Sequence, residues 1–256
     1  MLLQTLDRGL ALLEWVATHS NESTVANAAE ELGITRTTCY HLVNTLVHRG
    51  FLRKNNDGKL VLGPAIAAIG NVFVQQVRPE TALLPVVTGL VERTQESIYL
   101  SIWNGEHAVC LFSVEGAQHL RVSALAPGFS GFENCRTSGK VILAFLPQEE
   151  TERYLATHPL VARTSRSITH PEEFRMELAA IRARGWGFDR EEYELGVSGI
   201  GAPFFNALGR VAGAIVASVF SGRFEGSLKE SLRQAIVDAG EQSSHLLGYT
   251  GQYPAR

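Results

Sequence analysis

Between Arg36 and His48 an apolar stripe alternates with groups that can form hydrogen bonds. At about 100° per residue of helix, Cys39, Leu42, Val43 and Leu46 fall on one side. Thr37, Tyr40, His41, Asn44 and His48 fall almost opposite. That outward stripe carries hydroxyls, an amide, imidazoles and a phenol, and no acid. Such groups can reach base edges and phosphate oxygens, from which carboxylates would be repelled. Directly downstream, Phe51-Leu52-Arg53-Lys54 and Lys59-Leu60-Val61-Leu62 flank Asn55-Asn56-Asp57-Gly58. Two short strand-like runs around an Asp-Gly turn make a β-hairpin, on which Arg53, Lys54 and Lys59 can hold phosphates.

These groups need a scaffold, and the preceding residues supply one. Leu3, Leu6, Leu10, Leu13 and Ala17 recur at three- and four-residue steps, which predicts an amphipathic helix over 5–19 with that stripe inward. Thr24 can cap a second short helix with Val25, Ala28, Ala29 and Leu32 inward, and Gly33 stops it. Only one turn follows before Thr35 can cap the third helix, which is the spacing of a helix-turn-helix. With the basic hairpin this becomes a winged helix-turn-helix. Arg36, Thr37, Thr38, Tyr40, His41 and Asn44 are the candidate base- and backbone-reading residues, with Arg53, Lys54 and Lys59 on the wing. Charge follows the same division. Up to Leu32, Asp7, Glu14, Glu22, Glu30 and Glu31 stand against Arg8 alone. From Gly33 to Gly63, Arg36, Arg49, Arg53, Lys54 and Lys59 face only Asp57, as a surface turned toward a polyanion would.

The remainder is of a different kind. A helical run is predicted from Ala65 to Val77, ended by Pro79 with Glu80-Thr81, and a further helix from Ala82 to Gln95. Beyond it Ser97–Trp103 and Ala108–Val114 form a hairpin around Asn104-Gly105, and Leu120–Leu125 can add a strand. Helices are expected at 139–145, 148–156 and 171–184, a strand pair at Ile200–Phe204 and Val211–Phe220, and a closing helix at Ser227–Leu247. The expected fold class is therefore α+β, with an antiparallel sheet flanked by helices in the C-terminal part. The expected division is 1–63 for the DNA-binding domain, 64–80 for a helical linker and 81–256 for the α+β domain.

The chain of 256 residues is 45% hydrophobic, which excludes global disorder, and its net charge of −3 argues against a wholly basic coat. Three cysteines, Cys39, Cys110 and Cys135, are too few and too odd for a disulfide framework. The first residues lack a basic leader, and no uncharged run approaches the ~20 residues that span a bilayer. The expected setting is cytoplasmic. Catalytic patterns fail in detail. Ser138-Gly139-Lys140 follows Asn134 where a phosphate loop needs glycine, and Gly196-Val197-Ser198 lacks the closing glycine of a nucleophile elbow. His107 and Cys110 lie three apart on a strand, on opposite faces, and no metal site or cofactor is expected. The run Asp189-Arg190-Glu191-Glu192-Tyr193-Glu194 reads first as a solvated loop, with Asp189 as an alternative ligand acceptor at a strand end. Two other readings stay open. One is an enzyme acting on a small acid through Ser138, Lys140 and Asp189. The other is an interaction module whose winged helix contacts protein.

Taken in order, several stretches resemble bacterial regulators of the isocitrate lyase regulator (IclR) type. They are Leu6-Asp7-Arg8-Gly9-Leu10-Ala11-Leu12-Leu13, Ala28-Ala29-Glu30-Glu31-Leu32-Gly33-Ile34, Leu42-Val43-Asn44-Thr45-Leu46 and Arg49-Gly50-Phe51-Leu52. Further on come Leu60-Val61-Leu62-Gly63, Gly139-Lys140-Val141-Ile142-Leu143-Ala144-Phe145-Leu146-Pro147, Asp189 to Val197, and Ala202-Pro203-Phe204. The resemblance implies a GAF-like effector domain, a homodimer or dimer of dimers on operator DNA, and control of catabolic genes by small organic acids or aromatics. It places effector contacts at Cys135, Thr137, Ser138, Asp189, Gly199 and Ser218. Members commonly carry cysteine where this chain has Gly199, so with Phe129 and Phe132 nearby a roomier site for an aromatic acid is expected. Many members place an arginine where this chain has His41, which implies weaker or mildly pH-dependent DNA affinity.

Overall fold

The computed structural model describes residues 2–19, 23–69, 79–118 and 125–255. The chain divides into two compact units, Met1–Arg78 and Pro79–Arg256.

In the first unit, α1 (Gln4–Thr18), α2 (Val25–Glu31) and α3 (Arg36–His48) precede a two-stranded antiparallel wing of β1 (Leu52–Lys54) and β2 (Leu60–Leu62). Thr24 and Thr35 cap α2 and α3, each accepting a backbone N–H three residues on, from Asn27 and Thr38 at 3.2 Å. One core joins Leu12 and Val16 of α1, Ala28 and Ala29 of α2, Cys39, Leu42 and Val43 of α3, and Leu52 and Leu60 of the wing. The apolar stripe expected to face inward on α1 is corrected here. Leu3, Leu6 and Leu10 are more than half exposed, and the buried face is Leu12 with Val16, flanked by Leu13 and Trp15. Leu3 precedes the helix as its N-cap, so it cannot extend the stripe. Residues 64–69 are helical, and the remainder of the expected linker helix, 70–78, lies outside the described residues.

The second unit opens with α4 (Pro79–Thr94), three residues earlier than expected. Proline lacks only an N–H that the first turn of a helix leaves unpaired anyway, so Pro79 is tolerated at this position. A five-stranded antiparallel sheet follows, in the order β4-β3-β7-β6-β5. Its strands are β3 (Ser97–Trp103), β4 (Ala108–Val114), β5 (Gly187–Arg190), β6 (Val197–Phe205) and β7 (Val211–Phe220). The strand expected over 120–125 falls mostly on residues outside those described. Ile98, Leu100, Ile200, Ala202, Ile215 and Ala217 point to one face, where they pack with Leu83, Val87 and Leu90 of α4 and Leu232 and Ile236 of the closing helix α8 (Gly226–Leu246).

The alternate residues point to the other face. There Tyr99, Ala214 and Val216 meet Val141, Ile142 and Phe145 of α5 (Thr137–Phe145), and behind it Phe174, Leu178 and Ile181 of α7 (Pro171–Arg184). Between them α6 (Gln148–Thr157) contributes Tyr154. Helix α5 is buried along its whole length, which sets its N-terminus against the sheet. Gly139 lets that happen, because a Cβ there would lie 2.4 Å from Glu133 Cα.

Candidate nucleic-acid interface and ligand cavity

The first unit presents the polar stripe of α3 to solvent. Arg36, Thr37, Tyr40, His41 and Asn44 are all exposed, opposite the buried Cys39, Leu42 and Val43. Thr38 is half-buried, and its hydroxyl lies 2.9 Å from Thr35 Oγ1 within the capping turn. The Tyr40 and His41 rings meet edge to face at 6.3 Å, side by side on the outward surface. On the wing, register pairs Arg53 with Val61 and Lys54 with Leu60, and both cations are exposed. Lys59 is half-buried, with its backbone N–H held by Asn55 Oδ1 at 2.9 Å. The same oxygen accepts Asp57 N–H at 3.0 Å and so forms the turn. This is a preformed cationic hairpin beside an acid-free helix face.

The second unit buries its polar groups. The sheet register sets Asp189 opposite Gly199, and Gly199 opposite Ser218, so three residues far apart in sequence lie in one row beneath α5. Thr137 at the start of α5 donates through Oγ1 to Asp189 Oδ2 at 3.0 Å, and Glu192 N–H reaches Asp189 Oδ1 at 3.2 Å. Burial pushes the Asp189 carboxyl up to about 7; Lys140 opposes this and Glu192 adds to it. The expectation of a solvated acidic loop fails for Asp189 and Glu192, both of which are buried. Glu192 accepts both oxygens' worth of hydrogen bonding from Lys140 Nζ at 2.7 Å, and Lys140 also donates to Phe188 O at 2.8 Å. Lys140 is thus a fully buried strut that ties α5 to the β5–β6 loop.

A small cavity of about 50 Å³ opens beside Asp189, lined by Tyr99, Leu125, Arg136, Tyr193, Glu194, Val197 and Ser218. Of the sequence-derived contacts, Asp189 and Ser218 line it. Thr137 and Gly199 stand behind Asp189. The widening expected at Gly199 is corrected: a Cβ there would fall 2.4 Å from Thr137 Oγ1 and 2.8 Å from Asp189 Oδ2, so the space is already taken. Cys135 is buried away from the row, its thiol donating to Val161 O at 3.2 Å, with burial raising its pKa. The Ser138 hydroxyl neighbours the Tyr99 phenol without reaching hydrogen-bond geometry, and its oxygen is buried without a partner. Phe129 and Phe132 do not line the cavity. Each meets the Tyr193 ring edge to face, at 6.2 and 6.1 Å, and supports that wall from behind.

The residue that sequence reasoning passed over is Arg136, the N-cap of α5. It is buried, donating from Nε to Gly131 O at 2.8 Å and from Nη2 to Ala108 O at 2.6 Å. The guanidinium lies over the Phe129 ring at 5.1 Å, with Nη2 3.7 Å from Glu133 Oε1. Among the described residues its Nη1 is buried with no hydrogen-bond partner, and the side chain forms part of the cavity wall. A cationic N–H left unpaired in the interior is costly, and a ligand carboxylate would satisfy it. The available signal was its place in Asn134-Cys135-Arg136-Thr137-Ser138-Gly139-Lys140, between two residues already singled out.

Comparison with known proteins agrees with both halves. Residues 5–56 match the IclR helix-turn-helix domain, and residues 74–245 match the bacterial transcriptional regulator IclR C-terminal domain. The HTH-type transcriptional regulator KipR of Bacillus subtilis is 28% identical, over 96% of this chain and 98% of its own. The crystal structure of the Thermotoga maritima IclR superposes with a TM-score of 0.65 at 26% identity, covering 96% of this chain and 99% of that one. A structure from Silicibacter sp. TM1040, described as an IclR transcriptional regulator, shares the fold with a TM-score of 0.82 at 24% identity, covering 97% and 98%. Among the described residues, no helix is long and apolar enough to cross a membrane.

Proposed function

The chain belongs to the IclR family of bacterial transcriptional regulators, and from that membership we propose that it controls catabolic genes by coupling operator affinity to a short carboxylate held beside Asp189. The observation that carries the DNA half is the exposed, acid-free stripe of Thr37, Tyr40, His41 and Asn44 next to the cationic wing. In this reading α3 enters the major groove, where Asn44, His41 and Tyr40 meet base edges. Arg36, Thr37 and Thr38 at its first turn, with Arg53, Lys54 and Lys59, hold phosphates and fix register. A homodimer, or a dimer of dimers, places two such helices about 34–36 Å apart or at a multiple of that.

Three features support a carboxylate effector. Arg136 Nη1 lacks a partner, the first N–H groups of α5 have no intrahelical acceptor, and Asp189 with Ser218 can bond a second oxygen of the ligand. Size selects within that class. A cavity near 150 Å³ is what accommodates benzene in a protein interior, and the 50 Å³ here holds a carboxylate and little more. We read the cavity as a sensor and not as a catalytic centre. Ser138 has no base within hydrogen-bond reach and Lys140 is committed to Glu192. An effector that binds one arrangement of the protein better than another shifts operator affinity by linkage, typically ~1–3 kcal/mol or roughly 5–150-fold. We place the protein in the cytoplasm, with its DNA.

The test is fluorescence anisotropy with duplex DNA from the gene's own upstream region against a scrambled duplex, at two salt concentrations, with and without acetate or a two-carbon oxo acid. Preferential, salt-sensitive binding that the acid alters supports the reading. Salt-sensitive binding equal for both duplexes removes sequence readout, and no binding at either salt favours a protein partner for the winged helix.

A further inference from the structure

On the second unit, away from the Asp189 row, two histidines converge from distant parts of the chain. His107 ends the turn between β3 and β4, and His158 caps the C-terminus of α6. Their rings meet edge to face at 5.2 Å, and His158 stacks flat on Tyr154 at 4.2 Å. Glu106 joins them, and one ligand atom from each of the three lies within 4.8 Å of the others.

His158 Nδ1 lies 2.9 Å from Thr157 Oγ1 and 3.1 Å from Tyr154 O, so that nitrogen is engaged by the protein and Nε2 is the one left for a ligand. His107 Nδ1 lies 3.3 Å from Glu133 Oε1 and is buried without a closed hydrogen bond. Glu133 is itself fixed by the Tyr154 hydroxyl at 2.8 Å and the Gly131 N–H at 3.1 Å, and with its Oε1 beside His107 Nδ1 the nitrogen on the far side of that ring is Nε2. His158 Nε2 faces Glu106 Oε1 at 3.9 Å.

We propose that Glu106, His107 and His158 form a divalent transition-metal site, of the chemistry that suits zinc. Two imidazoles and a carboxylate are a common three-residue zinc set, which leaves a fourth position for water or an outside ligand. The second sphere is the one such sites use: Glu133 behind one imidazole and a backbone carbonyl behind the other. Around a tetrahedral ion with bonds of about 2.0–2.2 Å the ligand atoms stand roughly 3.4 Å apart. The three ligand atoms here lie within 4.8 Å of one another, so side-chain adjustments on the order of 1 Å bring them to that spacing. A groove of about 500 Å³, lined by Glu106, His158, Tyr154 and Trp103, gives the ion access from solvent. Magnesium and calcium, which prefer all-oxygen sites, are disfavoured by the two imidazoles. No sequence spacing announces the site, because the histidines stand 51 positions apart.

The experiment uses untagged full-length protein, stripped with chelator and dialysed. Zinc is titrated calorimetrically into the parent, Glu106→Gln and His158→Gln, and cobalt(II) is followed by absorption. The expected result is one zinc per chain in the parent, with affinity lowered at least about tenfold in each variant. The metal-free unfolding temperature of Glu106→Gln should stay unchanged, and the cobalt spectrum should lack a thiolate band. Equal affinity in all three proteins, no zinc binding into the high micromolar range, or a thiolate band from the buried cysteines would overturn the assignment. Should His158→Gln lose its fold, the exposed Glu106→Gln decides alone.

Discussion

Thr137 Oγ1 donates a 3.0 Å hydrogen bond to Asp189 Oδ2 across the bare backbone of Gly199. Helix α5 and strand β5 are joined there side chain to side chain, and the sheet residue between them contributes only the absence of a Cβ. With Glu192 N–H on Oδ1, each oxygen of Asp189 takes one hydrogen bond from the protein and keeps further bonding capacity, so the cavity meets a carboxyl of fixed orientation. The hydrogen bond couples the position of Asp189 to that of α5.

Gly199→Cys therefore replaces room that is not empty. Its Cβ would press on Thr137 Oγ1 and Asp189 Oδ2, and its sulfur would need further space. Overpacking of this kind typically costs about 1–3 kcal/mol. Thermal unfolding should show a lower midpoint, and calorimetry should show weaker carboxylate binding. An unchanged midpoint would mean that the Thr137 hydroxyl swings aside freely.

Arg136→Met should remove the cation that receives the ligand. Carboxylate affinity should fall at least tenfold, while Arg136→Lys retains charge but not the fork and should fall between. Because Arg136 also holds the carbonyls of Ala108 and Gly131, circular dichroism must accompany the titration. Equal affinity in folded Arg136→Met would move the ligand's carboxylate elsewhere.

An anion beside Asp189 favours the neutral carboxyl, so binding takes up a proton. With the free carboxyl at about 7, affinity is greatest below that pH and falls as pH rises through it, toward tenfold per unit. Calorimetry at pH 6, 7 and 8 in buffers of different ionisation heat reads both the slope and the proton. Asp189→Asn should flatten the slope. A slope that persists in that variant would assign it to another group.

The two units differed in how readily their residues could be read. The polar face of α3 is local: caps at Thr24 and Thr35, an angular stripe and an Asp-Gly turn are all written within 40 residues. Even there, Leu3, Leu6 and Leu10 matched a helical period yet remained exposed, since periodicity cannot say which of two apolar faces finds a partner. The cavity is non-local. Asp189, Gly199 and Ser218 form a row only through strand register, and their grouping came from family resemblance and not from spacing. Arg136 was missed because arginine is ordinarily a surface residue, and only tertiary packing reveals it as a buried donor with one arm unpaired. The glycine departure misled for the same reason: what fills the place of a missing side chain comes from another element.

Lys140→Met tests the strut. Lys140 is fully buried and its partner Glu192 nearly so. Removing one member of a buried pair leaves the other charge uncompensated, at a cost of about 3–5 kcal/mol. Glu192 is already raised by burial, with Lys140 holding it back, so loss of the lysine raises it further. A carboxyl whose folded pKa exceeds its unfolded value stabilises the fold below the unfolded pKa and loses that contribution as pH rises. The deficit of Lys140→Met relative to the parent should therefore be smallest near pH 4–5 and grow toward neutrality. Urea unfolding at several pH values checks it, and a deficit independent of pH would show that packing and not charge is what the lysine supplies.

The two kinds of contact on the winged helix should separate by how they fail. Lys54 is exposed on the wing, where a phosphate contact carries no sequence information. Lys54→Ala should weaken operator and scrambled DNA alike and lower the slope of log affinity against log salt by about one. Asn44 lies on the outward stripe of α3, two turns from its N-cap, and its amide can pair bidentately with adenine. Asn44→Ala should cost about 1–3 kcal/mol on the operator, little on the scrambled duplex, and leave the salt slope unchanged. Anisotropy on both duplexes at three salt concentrations measures all of these at once. If Asn44→Ala instead weakened both duplexes equally, the helix would be set on the phosphates and base readout would fall to Tyr40 and His41.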